Sequence, residues 1–155
     1  MPIFKPDEFL LNILPKKRVL GIDPGTKTLG IAVSNSDLTV ASPIFTIQRK
    51  KLKSDLNQLL EVLKKYDITG IIIGWPLNMD GSIGPRCDSV RDFVKSLLEV
   101  IDIPILLQDE RMSTMAVEKP MIKADLTRKK RNSRTDQLAA CWILQTALDG
   151  LPKRM

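Results

Sequence analysis

The sequence predicts an α/β domain built on a mixed five-stranded sheet, with its first three strands antiparallel and with helices on its faces. First, three apolar segments follow one another between residues 18 and 48, separated by short polar turns. Second, helical and strand-like patterns then alternate towards the end of the chain, which is typical of crossovers between parallel strands. Third, a length of 155 residues suits one domain.

The first three strands are predicted from short apolar segments that end at turn residues. Residues 19–22 stop at the turn 23–25, and residues 30–34 stop at a second polar turn. This spacing predicts a hairpin. Residues 39–48 form the third candidate strand, and Pro43 within it indicates a position at the edge of the sheet.

The remaining elements alternate between the helical and the strand pattern. Residues 53–66 carry leucines at the spacing of an amphipathic helix, and the β-branched segment 70–74 reads as a strand covered on both faces. Pro85 suits the first turn of the next helix, and a buried strand is predicted at 103–107. The last helix is predicted from about 135 to 148.

The predicted boundaries leave short segments at both ends of the domain. Residues 1–17 carry three prolines and are predicted to form an irregular lead-in, residues 18–150 the single domain, and residues 151–155 a short basic tail. No apolar run approaches the roughly 18 residues of a membrane span, so we expect a cytoplasmic protein without a membrane partner.

The composition excludes several chemistries and favours an anionic partner. The chain has no histidine, which removes histidine-based catalytic triads and histidine-ligated zinc. Its two cysteines, Cys87 and Cys141, do not form a CxxC pair, so zinc ribbons and dithiol redox motifs are excluded. Lysine and arginine total 24 against 18 acidic residues, and this net charge of +6 suggests nucleic acid.

Acidic residues stand where predicted elements end or begin. Asp23 ends the first strand, Asp109 and Glu110 end the last strand, and Asp136 opens the last helix. Sites in open α/β sheets form at the carboxyl ends of parallel strands, so these acids can share one edge. Taken singly, each also has an ordinary interpretation as a turn residue, a surface charge or a partner of the helix dipole.

Carboxylates crowded together repel one another unless a cation compensates their charge. Oxygen ligands suit Mg²⁺ or Mn²⁺, and one or two such ions would activate a water and stabilise the leaving oxygen of a phosphodiester. Because side chains alternate along a strand, only one of Asp109 and Glu110 can face the metal, and the sequence leaves that choice open.

Polar and basic segments near these acids are candidates for phosphate binding. Residues 25–30 resemble a phosphate loop without matching its pattern, and a tight hairpin explains their glycines equally well. The polar loop 77–86 leads into a helix N-terminus, and the basic run 128–134 is predicted to form a loop. The residues predicted to contact nucleic acid are Lys27, Thr28, Asn78, Arg86, Arg111, Ser113, Thr114, Arg128, Lys129, Lys130, Arg131 and Arg134.

Four ordered motifs resemble the YqgF/RuvX family, at residues 21–32, 74–82, 109–114 and 136–140. The resemblance covers about residues 17–149 and implies an RNase H-like fold. Members of this family are described as nucleases, linked first to Holliday-junction resolution and later to maturation of the 5′ end of bacterial 16S rRNA.

The resemblance implies that Asp23, Glu110 and Asp136 are both the catalytic carboxylates and the metal ligands, with Asp109 as the alternative to Glu110. It implies a nuclease dependent on Mg²⁺ or Mn²⁺ that processes the 5′ end of the 16S rRNA precursor. The expected partner is therefore structured RNA, and the expected state is a monomer or weak homodimer.

Three alternatives stay open at this point. The first is a Holliday junction resolvase that uses the same site on DNA, and the second is a non-catalytic RNA-binding factor in ribosome assembly. The third follows from residues 23–26, which also resemble the first phosphate motif of actin-like ATPases and sugar kinases. Those enzymes clamp ATP between two such domains, whereas 155 residues supply one.

Overall fold

The computed structural model describes residues 3–76, 80, 82–109 and 128–152, with side chains for all of these except 3–4 and 128–136. The strands in this part of the chain are β1 (Ile3–Phe4), β2 (Arg18–Pro24), β3 (Thr28–Ser34), β4 (Ala41–Gln48), β5 (Ile68–Trp75) and β6 (Ile105–Asp109). The helices are α1 (Pro6–Asn12), α2 (Leu52–Lys65), α3 (Pro85–Leu98) and α4 (Arg128–Gly150).

The strands form one mixed sheet in the order β1-β6-β5-β2-β3-β4. β2, β3 and β4 are antiparallel neighbours, whereas β2, β5, β6 and β1 run parallel. The five predicted strands and their antiparallel beginning are confirmed, and β1 adds two residues beyond β6. β4 lies at the other edge, where Pro43 pairs with Ala32 beside a register irregularity. An edge strand tolerates proline because the missing N–H is not needed for a second neighbour.

Helices cover both faces of the sheet and create two apolar layers. α2 and α3 pack on one face through residues such as Leu59 and Phe93. α1 and α4 pack on the other face through residues such as Phe9 and Ile143. Alternate residues of each central strand enter one layer or the other, so the core cluster that a residue joins identifies the face on which it lies.

The predicted irregular lead-in is wrong, because its residues form β1 and α1. Pro6 is the first residue of α1, a position where the missing N–H costs the helix nothing. Phe9 is fully buried against Gly70, where a Cβ atom would lie 2.6 Å from the phenyl ring. The backbone N–H of Leu14 donates to Thr69 Oγ1 at 2.8 Å. The lead-in is thus packed on the sheet.

The last helix begins earlier than predicted. α4 starts at Arg128, so the basic run 128–134 forms its first turns and is not a loop. Lysine and arginine are good helix formers, and the run contains no glycine or proline to stop the helix. No helix in the described parts of the chain is both long and apolar enough to cross a membrane. Residues 153–155 of the predicted basic tail lie outside the described residues.

Candidate active site at the carboxyl edge of the sheet

Asp23 lies near the carboxyl end of β2, on the face covered by α4. Leu20 and Ile22 point into the layer under α2 and α3. Gly21 lies on the other face, since a Cβ atom added there would lie 2.7 Å from Leu144 Cβ on α4. Asp23 follows Gly21 by two residues and therefore shares its face. Asp23 is half-buried.

The close approach of α4 to β2 depends on the glycine at position 21. A Cβ atom at Gly21 would also lie 3.2 Å from the carbonyl oxygen of Ala140, so any side chain would push the helix away. Asp136 is part of α4, one helical turn before Ala140. The side chain of Asp136 lies outside the described residues. The helix that carries Asp136 is therefore packed directly on the strand that carries Asp23.

Asp109, the last residue of β6, lies on the opposite face from Asp23. Ile105 belongs to the layer under α2 and α3, and Leu107 packs against the same layer. Asp109 continues this alternation and is in register with Trp75 of β5, which packs on that layer too. Glu110 lies outside the described residues.

A metal site at this edge remains a prediction. Among the described side chains, no group of three or more cysteines and carboxylates is arranged to hold a metal ion. Two of the three predicted ligands, Glu110 and Asp136, have side chains outside that set.

The turn between β2 and β3 is a tight hairpin connection. The backbone N–H of Gly25 donates to the carbonyls of Asp23 at 3.1 Å and Thr28 at 2.9 Å. A Cβ atom at position 25 would lie 2.6 Å from that Thr28 oxygen, so only glycine fits. Because the Gly25 N–H is engaged within the turn, it is not presented to a phosphate. Lys27, by contrast, has an exposed side chain at the tip of the turn.

Two arginines reach this turn from the α2/α3 side. Arg49 Nη1 donates to the carbonyl of Gly25 at 2.8 Å, and Arg86 Nη2 approaches the carbonyl of Pro24 at 3.5 Å. Arg86 was among the predicted contacts, but Arg49 was missed. Arg49 reaches the turn because Thr28 of β3 pairs with Gln48 of β4, which brings the next residue to the turn, and no sequence motif marks this position.

Thr28, another predicted contact, is half-buried at the start of β3. The remaining predicted contacts have side chains outside the described set. Those outside the described residues are Asn78, Arg111, Ser113 and Thr114. Those whose backbone forms the first turns of α4, with side chains outside the described set, are Arg128, Lys129, Lys130, Arg131 and Arg134.

The two thiols are free and are not arranged as nucleophiles. Cys87 is buried, and its Sγ lies 3.4 Å from the carbonyl oxygen of Pro76. Burial raises the pKa of the Cys141 thiol, whose Sγ lies 3.3 Å from the carbonyl oxygen of Ala41. A raised pKa keeps a thiol protonated at neutral pH and therefore unreactive.

Comparison with known sequences gives consistent matches over nearly the whole chain. A family model described as "RuvX: Holliday junction resolvase" matches residues 17–150. A relative from Paramagnetospirillum magneticum is 44% identical over 149 residues, covering 96% of each chain. A relative from a Ruegeria species is 47% identical over 143 residues, covering 92% of this chain and 91% of the relative. Both relatives carry the name "Putative pre-16S rRNA nuclease".

Comparison with solved structures identifies the fold. RuvC from T. thermophilus, in complex with a Holliday junction substrate, matches with a TM-score of 0.55 at 18% identity, over 86% of this chain and 94% of that chain. The Fowlpox virus resolvase, in complex with Holliday junction DNA, matches with a TM-score of 0.50 at 16% identity. This match covers 88% of this chain and 99% of the resolvase chain. The predicted RNase H-like fold is thereby confirmed.

Proposed function

Because this chain belongs to the RuvX family, we propose that it is a divalent-metal-dependent nuclease that processes the 5′ end of the 16S rRNA precursor. The observation that carries the proposal is Asp23, a half-buried carboxylate at the carboxyl end of a central strand. It lies on the face covered by α4, the helix that carries Asp136. The name of the curated relatives supplies the RNA substrate.

The proposed catalytic set is Asp23, Glu110 and Asp136. The alternation in β6 supports Glu110 over Asp109, because Asp109 lies on the face away from Asp23. Successive side chains of a strand alternate between the two faces of its sheet. We therefore assign the metal-ligand role to Glu110 and not to Asp109.

The donor chemistry of this set fits a divalent metal. Its ligands are carboxylate oxygens, which Mg²⁺ and Mn²⁺ prefer, and Asp23 is only half-buried. Asp23, Glu110 and Asp136 would hold one or two ions. When bound, such ions activate a water molecule and stabilise the leaving oxygen of a phosphodiester.

The basic residues around the acids would hold the nucleic-acid backbone. Lys27 is exposed at the tip of the turn that follows Asp23. The first turns of α4 carry the basic run 128–134 immediately before Asp136. Phosphates are bound mainly by such charges, so binding and cleavage depend on different residues. A nuclease that acts on this substrate would work in the cytoplasm, where ribosomes are assembled.

The second candidate is a Holliday junction resolvase, which is the activity in the family description. A resolvase cuts two strands symmetrically and for that purpose acts as a dimer. The structural likeness to resolvases supports the fold alone, at 18% and 16% identity. The relatives with 44% and 47% identity are named as pre-16S rRNA nucleases, and we therefore favour RNA over DNA as the substrate.

A cleavage assay with three substrates tests the proposal. End-labelled 16S precursor RNA, precursor-containing 30S particles and a four-way DNA junction are incubated with Mg²⁺ or Mn²⁺, with EDTA as control. Metal-dependent cutting of the RNA, free or in particles, is the expected result. Paired cuts in the junction alone would favour the resolvase. Binding without cleavage of any substrate would favour the non-catalytic assembly factor.

A further inference from the structure

A small pocket lies beside the proposed active site, between the turn that follows Asp23 and the first turns of α3. Its volume is about 30 Å³, room for about two water molecules. The turn contributes backbone and Thr26, and α3 contributes Arg86 and Ser89. Arg49 closes the pocket from the end of β4. None of the described lining residues is acidic.

Arg49 is held in place by partners that leave most of its donors unused. Its Nε lies 3.6 Å from Asp55 Oδ2, and its guanidinium carbon lies 5.4 Å from the centre of the Phe93 ring. A guanidinium group has five N–H donors. Its contacts with Asp55 and Gly25 use one donor each, so three are not engaged by described residues.

Asp55 is the fixed support of this arrangement. Its side chain is 1% exposed, and its other oxygen accepts the backbone N–H of Lys50 at 3.1 Å. The backbone N–H of Arg49 also donates to the carbonyl of Lys27 at 2.9 Å. Both the backbone and the guanidinium of Arg49 are therefore positioned before any ligand arrives. Such preorganisation lowers the entropy cost of binding.

Arg86 and Ser89 present polar groups from the same side of the pocket. They are three residues apart in the first turns of α3, a 14-residue helix, and so lie on one face of it. The N-terminal end of a helix carries partial positive charge, which adds to the arginine charges. The Arg86 side chain is exposed, and its contact with the Pro24 carbonyl is long at 3.5 Å. It can therefore turn towards an anion at little cost.

We propose that this pocket is a phosphate subsite in which Arg49 and Arg86 together bind one phosphodiester group of the substrate backbone. The pocket lies on the α2/α3 face, but its wall at Pro24 and Gly25 directly follows Asp23 in the chain. The bound strand would thus cross the turn, with one phosphate held by the arginines and another presented to the carboxylates. This inference rests on the proposed nuclease function and adds a specific binding residue, Arg49, to it.

The salt dependence of binding tests the subsite. Binding of fluorescein-labelled precursor RNA, and separately of a four-way DNA junction, is measured in EDTA over a series of KCl concentrations. Arg49→Gln and Arg86→Gln should each weaken binding about tenfold, as expected for loss of a charge-assisted hydrogen bond. Each should also lower the slope of log Kd against log salt by about 0.7 to 0.9, which is the change expected for the loss of one phosphate contact.

The double variant and a matched control separate the subsite from a general loss of charge. Because both arginines bind the same phosphate, the double variant should lose less affinity than the product of the two single losses. Lys95→Gln removes one exposed charge from the last turn of the same helix and should leave the slope unchanged. Arg86 is exposed, so its variant should fold even if substitution of Arg49 disturbs the ion pair with Asp55.

Two outcomes overturn the inference in distinguishable ways. If the unmodified protein binds and cleaves RNA but Arg86→Gln and a folded Arg49→Gln keep its salt slope, the subsite is wrong and the nuclease proposal stands. If the unmodified protein binds neither RNA nor junction, the nuclease proposal fails and the subsite fails with it. The ligand is RNA if the slope changes with the precursor alone, and DNA if it changes with the junction alone.

Discussion

The two faces of the sheet bring different side chains to the same carboxyl edge. On the α4 face, Asp23 lies at the end of β2 beside the helix that carries Asp136. On the α2/α3 face, Arg49 and Arg86 converge on the turn that follows Asp23. We therefore expect the α4 face to supply the chemistry, and the two arginines of the α2/α3 face to hold a phosphate of the substrate.

The two faces are also built by different physical means. The α4 face depends on a missing side chain, because only Gly21 allows the helix so close to β2. The α2/α3 face, called the arginine face below because Arg49 and Arg86 lie there, depends on a buried charge. Its Asp55 carboxylate holds Arg49 over the Phe93 ring. Substitutions on the two faces should therefore give different phenotypes, and the predictions below use this contrast.

The largest expected difference between the two faces is that between substitutions of the neighbouring acids Asp109 and Glu110. Glu110→Gln should lower the cleavage rate at least about a hundredfold, since a lost metal ligand removes several kcal/mol of transition-state stabilisation. Asp109→Asn should change the rate only a few-fold, because Asp109 lies on the arginine face. Single-turnover cleavage of precursor RNA measures both. The reverse order of the two effects would contradict the assignment of faces.

The next effect concerns the lead-in helix that supports the α4 face. Phe9→Ala should lower the free energy of unfolding by about 3 to 4 kcal/mol, because a fully buried phenyl ring is replaced by a cavity. Leu11→Ala is the matched control, since Leu11 is 85% exposed on the same helix. Its effect should stay within about 0.5 kcal/mol. Chemical denaturation measures both, and equal effects would mean that α1 does not pack on the sheet.

The smallest effect concerns the support of the arginine face. Asp55→Asn should lower the free energy of unfolding by about 2 kcal/mol, less than for a fully buried pair because Arg49 is 25% exposed. It should also weaken RNA binding several-fold while leaving the cleavage rate at saturating RNA nearly unchanged. Asp92→Asn, at an exposed position of α3, is the control. A loss of rate without a loss of binding would contradict the division between the faces.

The sequence predicted the central strands well because each is a short apolar segment that ends at a turn. It could not choose between Asp109 and Glu110, since the choice depends on which core layer Leu107 joins. The two terminal errors have local causes. Pro6 begins a helix where the prolines predict an irregular segment, and the basic run 128–134 begins a helix where its charge predicts a loop.

In the candidate site, Arg49 is a residue that the sequence could not identify. Its sequence neighbours are ordinary basic residues, and nothing in its local pattern distinguishes it from Lys50 or Lys51. Its position follows from the hairpin register, which brings it to Gly25, and from the buried carboxylate of Asp55. Such a residue becomes visible only when strand pairing and helix packing are known together.

The most direct test of the central claim is to measure cleavage and binding of precursor RNA by Asp23→Asn in the same preparation. The rate should fall by about a thousandfold or more, because a metal ligand is lost, while Kd should stay within about twofold, because affinity comes from basic residues. Asp37→Asn, in an exposed turn, should match the unmodified protein in both. Cleavage by Asp23→Asn at near the unmodified rate would contradict the account.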